Sequence, residues 1–413
     1  MISKFKTTFF SKIPKFWIVN TLLFSLLFLS WTIQGQQLET IIDEAIKNNP
    51  NIQAVIKQHA IATEKVIETN SLPNTQLSGG YTLSSTEMPM MQQGEFSVMQ
   101  MLPWFGTISA RRSLASAMAD ADFVEIDIAK RKIAMAVSQS YFRLYEIARK
   151  QQVLDSNIQL LQVYERLALT SVEVGQASAV SVLRLQMRQN DLIEQKLRLQ
   201  QDYSAALTAI NKIMNREEVT DISIRDSLTI PEQETEIDFS KLKLHPELTK
   251  YNKMHTVVSQ ADILNKKESA PDFGIGVQYM LLNEAPNMLM PMATLSIPIF
   301  NKKYKSVARQ NKLKFEELEI EKQASENDLM TQLQKAIKSR NAARIRLETQ
   351  DKNLKQAQLA NEILLKNYET GTINFNEVLD VQELQLKFQI NRIEAISSYY
   401  IQKSIIDYYT ATE

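Results

Sequence analysis

Tyr368-Glu369-Thr370-Gly371-Thr372-Ile373-Asn374-Phe375-Asn376-Glu377-Val378-Leu379-Asp380 sets one glycine reversal between two long polar stretches free of helix breakers. Glycine readily supplies the left-handed backbone that follows a helix C-terminus, so the stretch predicts the tip of a helical hairpin. The same pattern occurs about 196 residues earlier, which marks an internal repeat. There Gly175-Gln176, followed by Val182-Leu183 and Gln186, answers Gly371-Thr372, followed by Val378-Leu379 and Gln382.

Outward from each tip the helices are long. No proline or glycine occurs in residues 109–170 or 301–370, and at 1.5 Å per residue a helix of roughly 60 residues is on the order of 90 Å long. The returning helices are expected over 179–214 and 375–409. In the second copy Leu333, Leu347 and Leu354 hold one heptad position, and Leu329, Ala336, Ala343 and Ala357 hold another. That is a seam for lateral helix packing, interrupted by Arg340 and Gln350. Leu154, Ile158 and Leu161 form a similar narrow stripe in the first copy.

Upstream of each long helix the repeat continues. Asn48-Asn49-Pro50 is answered by Leu244-His245-Pro246, Leu72-Pro73 and Tyr81 by Ala270-Pro271 and Tyr279, and Leu102-Pro103-Trp104-Phe105 by Ile297-Pro298-Ile299-Phe300. Between these marks the period is two. Leu77, Gly79, Tyr81 and Leu83 alternate with polar or small residues, as do Phe273, Ile275, Val277 and Tyr279; Phe96 and Val98, and the run from Met292 to Ile297, read as their returning partners. The expected division is a signal peptide (1–35), a first repeat (36–215), a linker (216–240) and a second repeat (241–413). Proline at each strand-to-helix corner bends the chain where a ladder donor is not needed. Trp104 and Phe105 suit either packing at that corner or a membrane interface.

Four strands alone cannot close a barrel or hide their edges in lipid, whereas three chains would supply twelve. Export is expected from the N-terminus, where Lys4, Lys6, Lys12 and Lys15 precede an apolar stretch from Phe16 to Ile33 and no acid occurs before Glu39; a retained anchor helix is the alternative. Loss of residues 1–35 removes four of the 47 basic side chains and none of the 47 acidic ones, which gives no reason to expect a nucleic-acid partner. The chain has no cysteine, hence no disulfide, thiolate metal site or lipidated N-terminal cysteine.

No phosphate-binding glycine loop, His-Glu-x-x-His or nucleophile elbow is present, so neither catalysis nor a cofactor is expected. His59, His245 and His255 have no zinc-ligand spacing, and no resident metal is expected. Met88, Met90, Met91, Met99, Met101, Met280, Met288, Met290 and Met292 nonetheless crowd the strand segments. Thioethers suit Cu(I), so metal export is one reading of them and adaptable packing the other.

The tip sequence from Tyr368 to Asp380, with the Pro103-Trp104-Phe105-Gly106 and Ile297-Pro298-Ile299-Phe300 corners, resembles the TolC family of outer-membrane efflux channels across roughly residues 36–410. The resemblance implies a mostly α-helical chain with a transmembrane β-barrel: four strands per chain in a homotrimeric twelve-stranded barrel in outer-membrane lipid, continued by a long helical tunnel in the periplasm. It also implies a passive exit duct, met by a periplasmic adaptor (membrane fusion protein) and fed by an inner-membrane pump of the RND type. By the same resemblance Glu377 and Asp380 fall at the periplasmic gate. Val174, Gly175, Gln176, Thr370, Gly371 and Thr372 become the adaptor-contacting tips, and Pro103, Trp104, Phe105, Pro298 and Phe300 the strand-to-helix corners. Glu377 and Asp380, three apart near a helix N-terminus, also suit a solvated first turn. A type I protein-secretion channel shares this architecture. A periplasmic coiled-coil adaptor would need only one hairpin.

Overall fold

The computed structural model describes residues 36–82, 92–175, 178–224, 227–234, 236–282, 285–299, 301–370 and 372–410. Helices α1 (Gln36–Asn48) and α2 (Pro50–Glu68) precede strands β1 (Gln76–Tyr81) and β2 (Gln92–Leu102), then α3 (Thr107–Glu173) and α4 (Ala179–Ile213). After a 3-10 turn at Phe239–Leu244 come α5 (Pro246–Glu268), β3 (Asp272–Leu282), β4 (Met288–Ser296), α6 (Lys303–Glu369) and α7 (Phe375–Thr410). The two longest helices, α3 and α6, have 67 residues each. Among the described residues no helix is long and apolar enough to cross a membrane.

The paired proline motifs have a local cause. Asn49 caps α2, its side chain accepting from the backbone N–H of Asn51 at 2.9 Å, with Pro50 in the first turn. His245 caps α5 in the same way, accepting from the N–H of Glu247 at 3.3 Å ahead of Pro246. Both pairs use a side-chain acceptor for an orphan donor, and a proline where no donor is required. Burial pushes the His245 imidazole down, which favours the neutral form its acceptor role needs.

The strands form one antiparallel sheet in the order β1-β2-β3-β4. The two expected pairs are present, and a β2–β3 ladder running from Leu102 opposite Phe273 to Gln92 opposite Leu282 joins them. The expected strand residue Leu83 lies outside the described residues. Register puts Leu77, Phe96, Val98, Ile275, Val277, Tyr279, Leu289 and Leu295 on one face. That face is open: Leu77 is 76% exposed, Phe96 67% and Leu289 67%.

The chain divides into two compact units. One comprises residues 1–48, 136–228 and 351–397, the other 49–135, 229–350 and 398–413. In the first, Leu154, Leu161, Tyr164 and Ala168 of α3 pack with Val182, Leu185 and Leu192 of α4 and Phe375, Val378 and Leu386 of α7. In the second, Leu329, Leu333 and Ala336 of α6 pack with Leu242, Leu248 and Ile406. Of the heptad seam, Leu329, Leu333, Ala336, Ala343 and Ala357 are buried, while Leu347 and Leu354 are half-buried. Arg340, an interruption in sequence, is also buried there, its Nη1 held 3.0 Å from Glu234 Oε2.

Candidate functional site

The first tip follows from how α3 ends. The N–H of Val174 donates to Thr170 O and that of Gly175 to Val172 O at 3.0 Å. Gly175 then takes φ +73°, a left-handed conformation that costs any residue with a β-carbon. Ser178 restarts the chain by accepting from the N–H of Val180 at 3.2 Å. Val174 is 63% exposed, and among the described residues a β-carbon at Gly175 would meet nothing within 4 Å, so this side of the turn is open. Gln176 lies outside the described residues.

The second tip closes differently. Asn367 O accepts from both the N–H and the hydroxyl of Thr372, at 3.0 and 2.8 Å, while the N–H of Thr370 donates to Lys366 O. Asn374 then accepts from the N–H of Asn376 at 3.1 Å and α7 begins. Thr370 and Thr372 are exposed, and Gly371 lies outside the described residues.

Glu377 and Asp380 sit in the first two turns of α7, both exposed, but they do not share surroundings. Asp380 lines a cleft of about 160 Å³ with Arg184 and Arg188 of α4 and Glu383 of α7, floored by Leu161, Leu192 and Leu386. Arg188 Nη2 stands 3.1 Å from Glu383 Oε1 across that cleft. Glu377 lies outside it. Glu165 of α3 accepts from Gln186 at 2.7 Å and Gln189 at 2.8 Å on α4, and these hydrogen bonds hold its carboxyl below the usual range. Arg184 and Arg188 were legible only as an i, i+4 pair on one helix face; their meeting with α7 is a tertiary fact.

At the first corner Pro103 leads to Trp104, whose N–H donates to Asp272 Oδ1 at 3.3 Å. The rings of Trp104 and Phe105 stack edge-on at 5.9 Å, and Phe105 lies 5.6 Å from Phe273 at the start of β3. Phe105 is nonetheless 74% exposed, so packing accounts for only part of this aromatic pair. At the second corner Pro298 is half-buried and Ile299 71% exposed, while Phe300 lies outside the described residues. Among the described residues no group of three His, Asp or Glu side chains comes together to hold a metal.

No protein-family model matches the sequence and no curated protein matches it. Solved structures do match over nearly the whole chain. CusC, described in terms of transmembrane channel formation, superposes with a TM-score of 0.77 at 13% identity, over 92% of both chains. The outer membrane protein VceC of Vibrio cholerae gives 0.76 at 14% identity, over 91% of this chain and 96% of its own. The outer-membrane channel OprN gives 0.78 at 14% identity, over 91% and 90%. At such identity the likeness establishes the fold alone, and this chain has the TolC-like fold of these structures.

Proposed function

We propose that the protein is the outer-membrane channel of a tripartite efflux system, a passive homotrimeric exit duct. The observation that carries this reading is the sheet. One face is apolar and open to solvent in the single chain, and among the described residues its two outer strands, β1 and β4, each pair on one side only. An exposed apolar face needs lipid, and lipid leaves no edge donors or acceptors unpaired, so the sheet must close with other copies. Three four-stranded sheets give twelve strands, within the range of transmembrane barrels. A twelve-helix tunnel, the adaptor contact at Val174, Gly175, Gln176, Thr370, Gly371 and Thr372, and a constriction at Glu377 and Asp380 belong to the same reading. The open Val174-Gly175 turn supports the adaptor contact, since an unencumbered tip is what a second hairpin needs.

Purified protein is expected to run as a trimer in detergent and to open discrete conductance steps in planar bilayers. A stable monomer that inserts without conductance would refute the proposal.

A further inference from the structure

The face of the sheet opposite the apolar one has its own chemistry. Register places Gln76 and Ser78 of β1, Glu95 and Ser97 of β2, Gln278 of β3 and Thr294 and Ser296 of β4 on it. Every methionine of the described strand residues is there too: Met99, Met101, Met280, Met288, Met290 and Met292. None stands among the leucines, valines and aromatics of the other face. Methionine used as apolar filler belongs with those side chains, so its confinement to the polar face points to the sulfur.

Two glycines clear room between these thioethers. Gly276 is paired with Met99 on one side and Met292 on the other, so two methionines flank a position without a side chain. Gly274 shows how close the sulfurs come: a β-carbon added there would sit 2.7 Å from Met101 Sδ and 3.2 Å from Met99 Sδ. Both sulfurs thus converge over one glycine, where any larger residue would displace them. The hydroxyl of Thr294 donates to Met99 Sδ at 3.7 Å, which fixes the orientation of that sulfur.

We infer that this face is a binding surface for soft monovalent cations, of the Cu(I) or Ag(I) class, with Met99, Met101 and Met292 as its thioether ligands. Thioethers are neutral and polarisable, so they suit a soft monovalent ion and offer little to hard divalent ones. Several weak ligands spread along a face also suit passage, where an ion must be held enough to enter and loosely enough to leave. The inference rests on the exit-duct reading for what lies along the face: if the apolar side meets lipid, the thioether side meets the cargo.

The test is Ag(I) binding by the full-length protein in detergent, in chloride-free buffer, followed by isothermal calorimetry. Replacing Met99, Met101 and Met292 together by leucine conserves side-chain volume and is expected to weaken Ag(I) binding at least tenfold. The paired control M118L/M187L, on α3 and α4, is expected to bind as wild type does. Equal binding by the triple variant and wild type, or no binding by wild type, would overturn the site. Because the measurement needs no transport, protein that binds Ag(I) through these methionines but forms no pore would refute the exit duct alone. Conducting protein indifferent to Ag(I) would refute the thioether site alone.

Discussion

Glu234 gathers two guanidiniums and a tyrosine hydroxyl around one carboxylate. Its carboxylate accepts from Arg344 Nε at 3.0 Å and from the Tyr399 hydroxyl at 2.9 Å, and stands 3.0 Å from Arg340 Nη1. Burial alone would raise its pKa, but the hydrogen bonds from Arg344 and Tyr399 and the two guanidinium charges outweigh that and hold it below 4.5. Burial, with the hydrogen bond to Glu234, pushes the Tyr399 hydroxyl up to about 12. A carboxyl depressed in the folded state contributes stability that is fully present above the unfolded value and lost as pH falls through the folded one. Glu234→Gln is therefore expected to cost about 1–3 kcal/mol at neutral pH, with a wild-type advantage that shrinks below pH 4.5. Urea unfolding across that range checks it, and a difference constant with pH would sink the idea. Arg340 looked like a flaw in a heptad because its counter-charge is remote in sequence; the Arg344–Glu234 bond alone bridges 110 residues. Heptad spacing predicts where a side chain points, and says nothing of a carboxylate arriving from the segment between α4 and the 3-10 turn.

Among the elements, the hairpins were legible because their signals are local. A glycine at a helix end and a run without breakers lie within a few residues of what they specify, and Gly175 takes the left-handed φ its position implied. The strands were legible as pairs for the same reason, from alternation of period two. The ladder between β2 and β3 was not, since it joins residues as distant as Glu95 and Gln278, whose side chains meet at 2.6 Å across 183 residues of sequence. Two leucines two residues apart on α4 separate repeat from core. Leu183 matches Leu379 in the repeat yet is 57% exposed, whereas Leu185 is fully buried against Leu154 and Val378. Leu185→Ala is accordingly expected to cost about 2–5 kcal/mol through its cavity, and Leu183→Ala less than about 0.5 kcal/mol as a surface change. Denaturant midpoints of the two variants decide it; equal losses would mean that the hairpin buries a different face of α4.

At the scale of the whole molecule, the proposed threefold assembly would turn single side chains into rings, and the two tip carboxylates would enter such a ring unequally. Their placement three apart near a helix start was legible. Their inequality was not, because it depends on Arg184 and Arg188 arriving from another helix to share the cleft with Asp380. In the proposed trimer, threefold repetition would bring the Glu377 carboxylates together outside that cleft, and the Asp380 carboxylates together with the guanidiniums that line the cleft beside them. Charge selectivity of a narrow passage follows the net field at its ring. Glu377→Ala is therefore expected to reduce cation preference more than Asp380→Ala, and the double variant to reduce it furthest while raising basal conductance. Reversal potentials in asymmetric KCl, measured on trimers in planar bilayers, read this directly. Unchanged selectivity in the double variant would remove both residues from the constriction. A larger effect from Asp380 would mean that its arginines turn away from the carboxylate in the assembled channel.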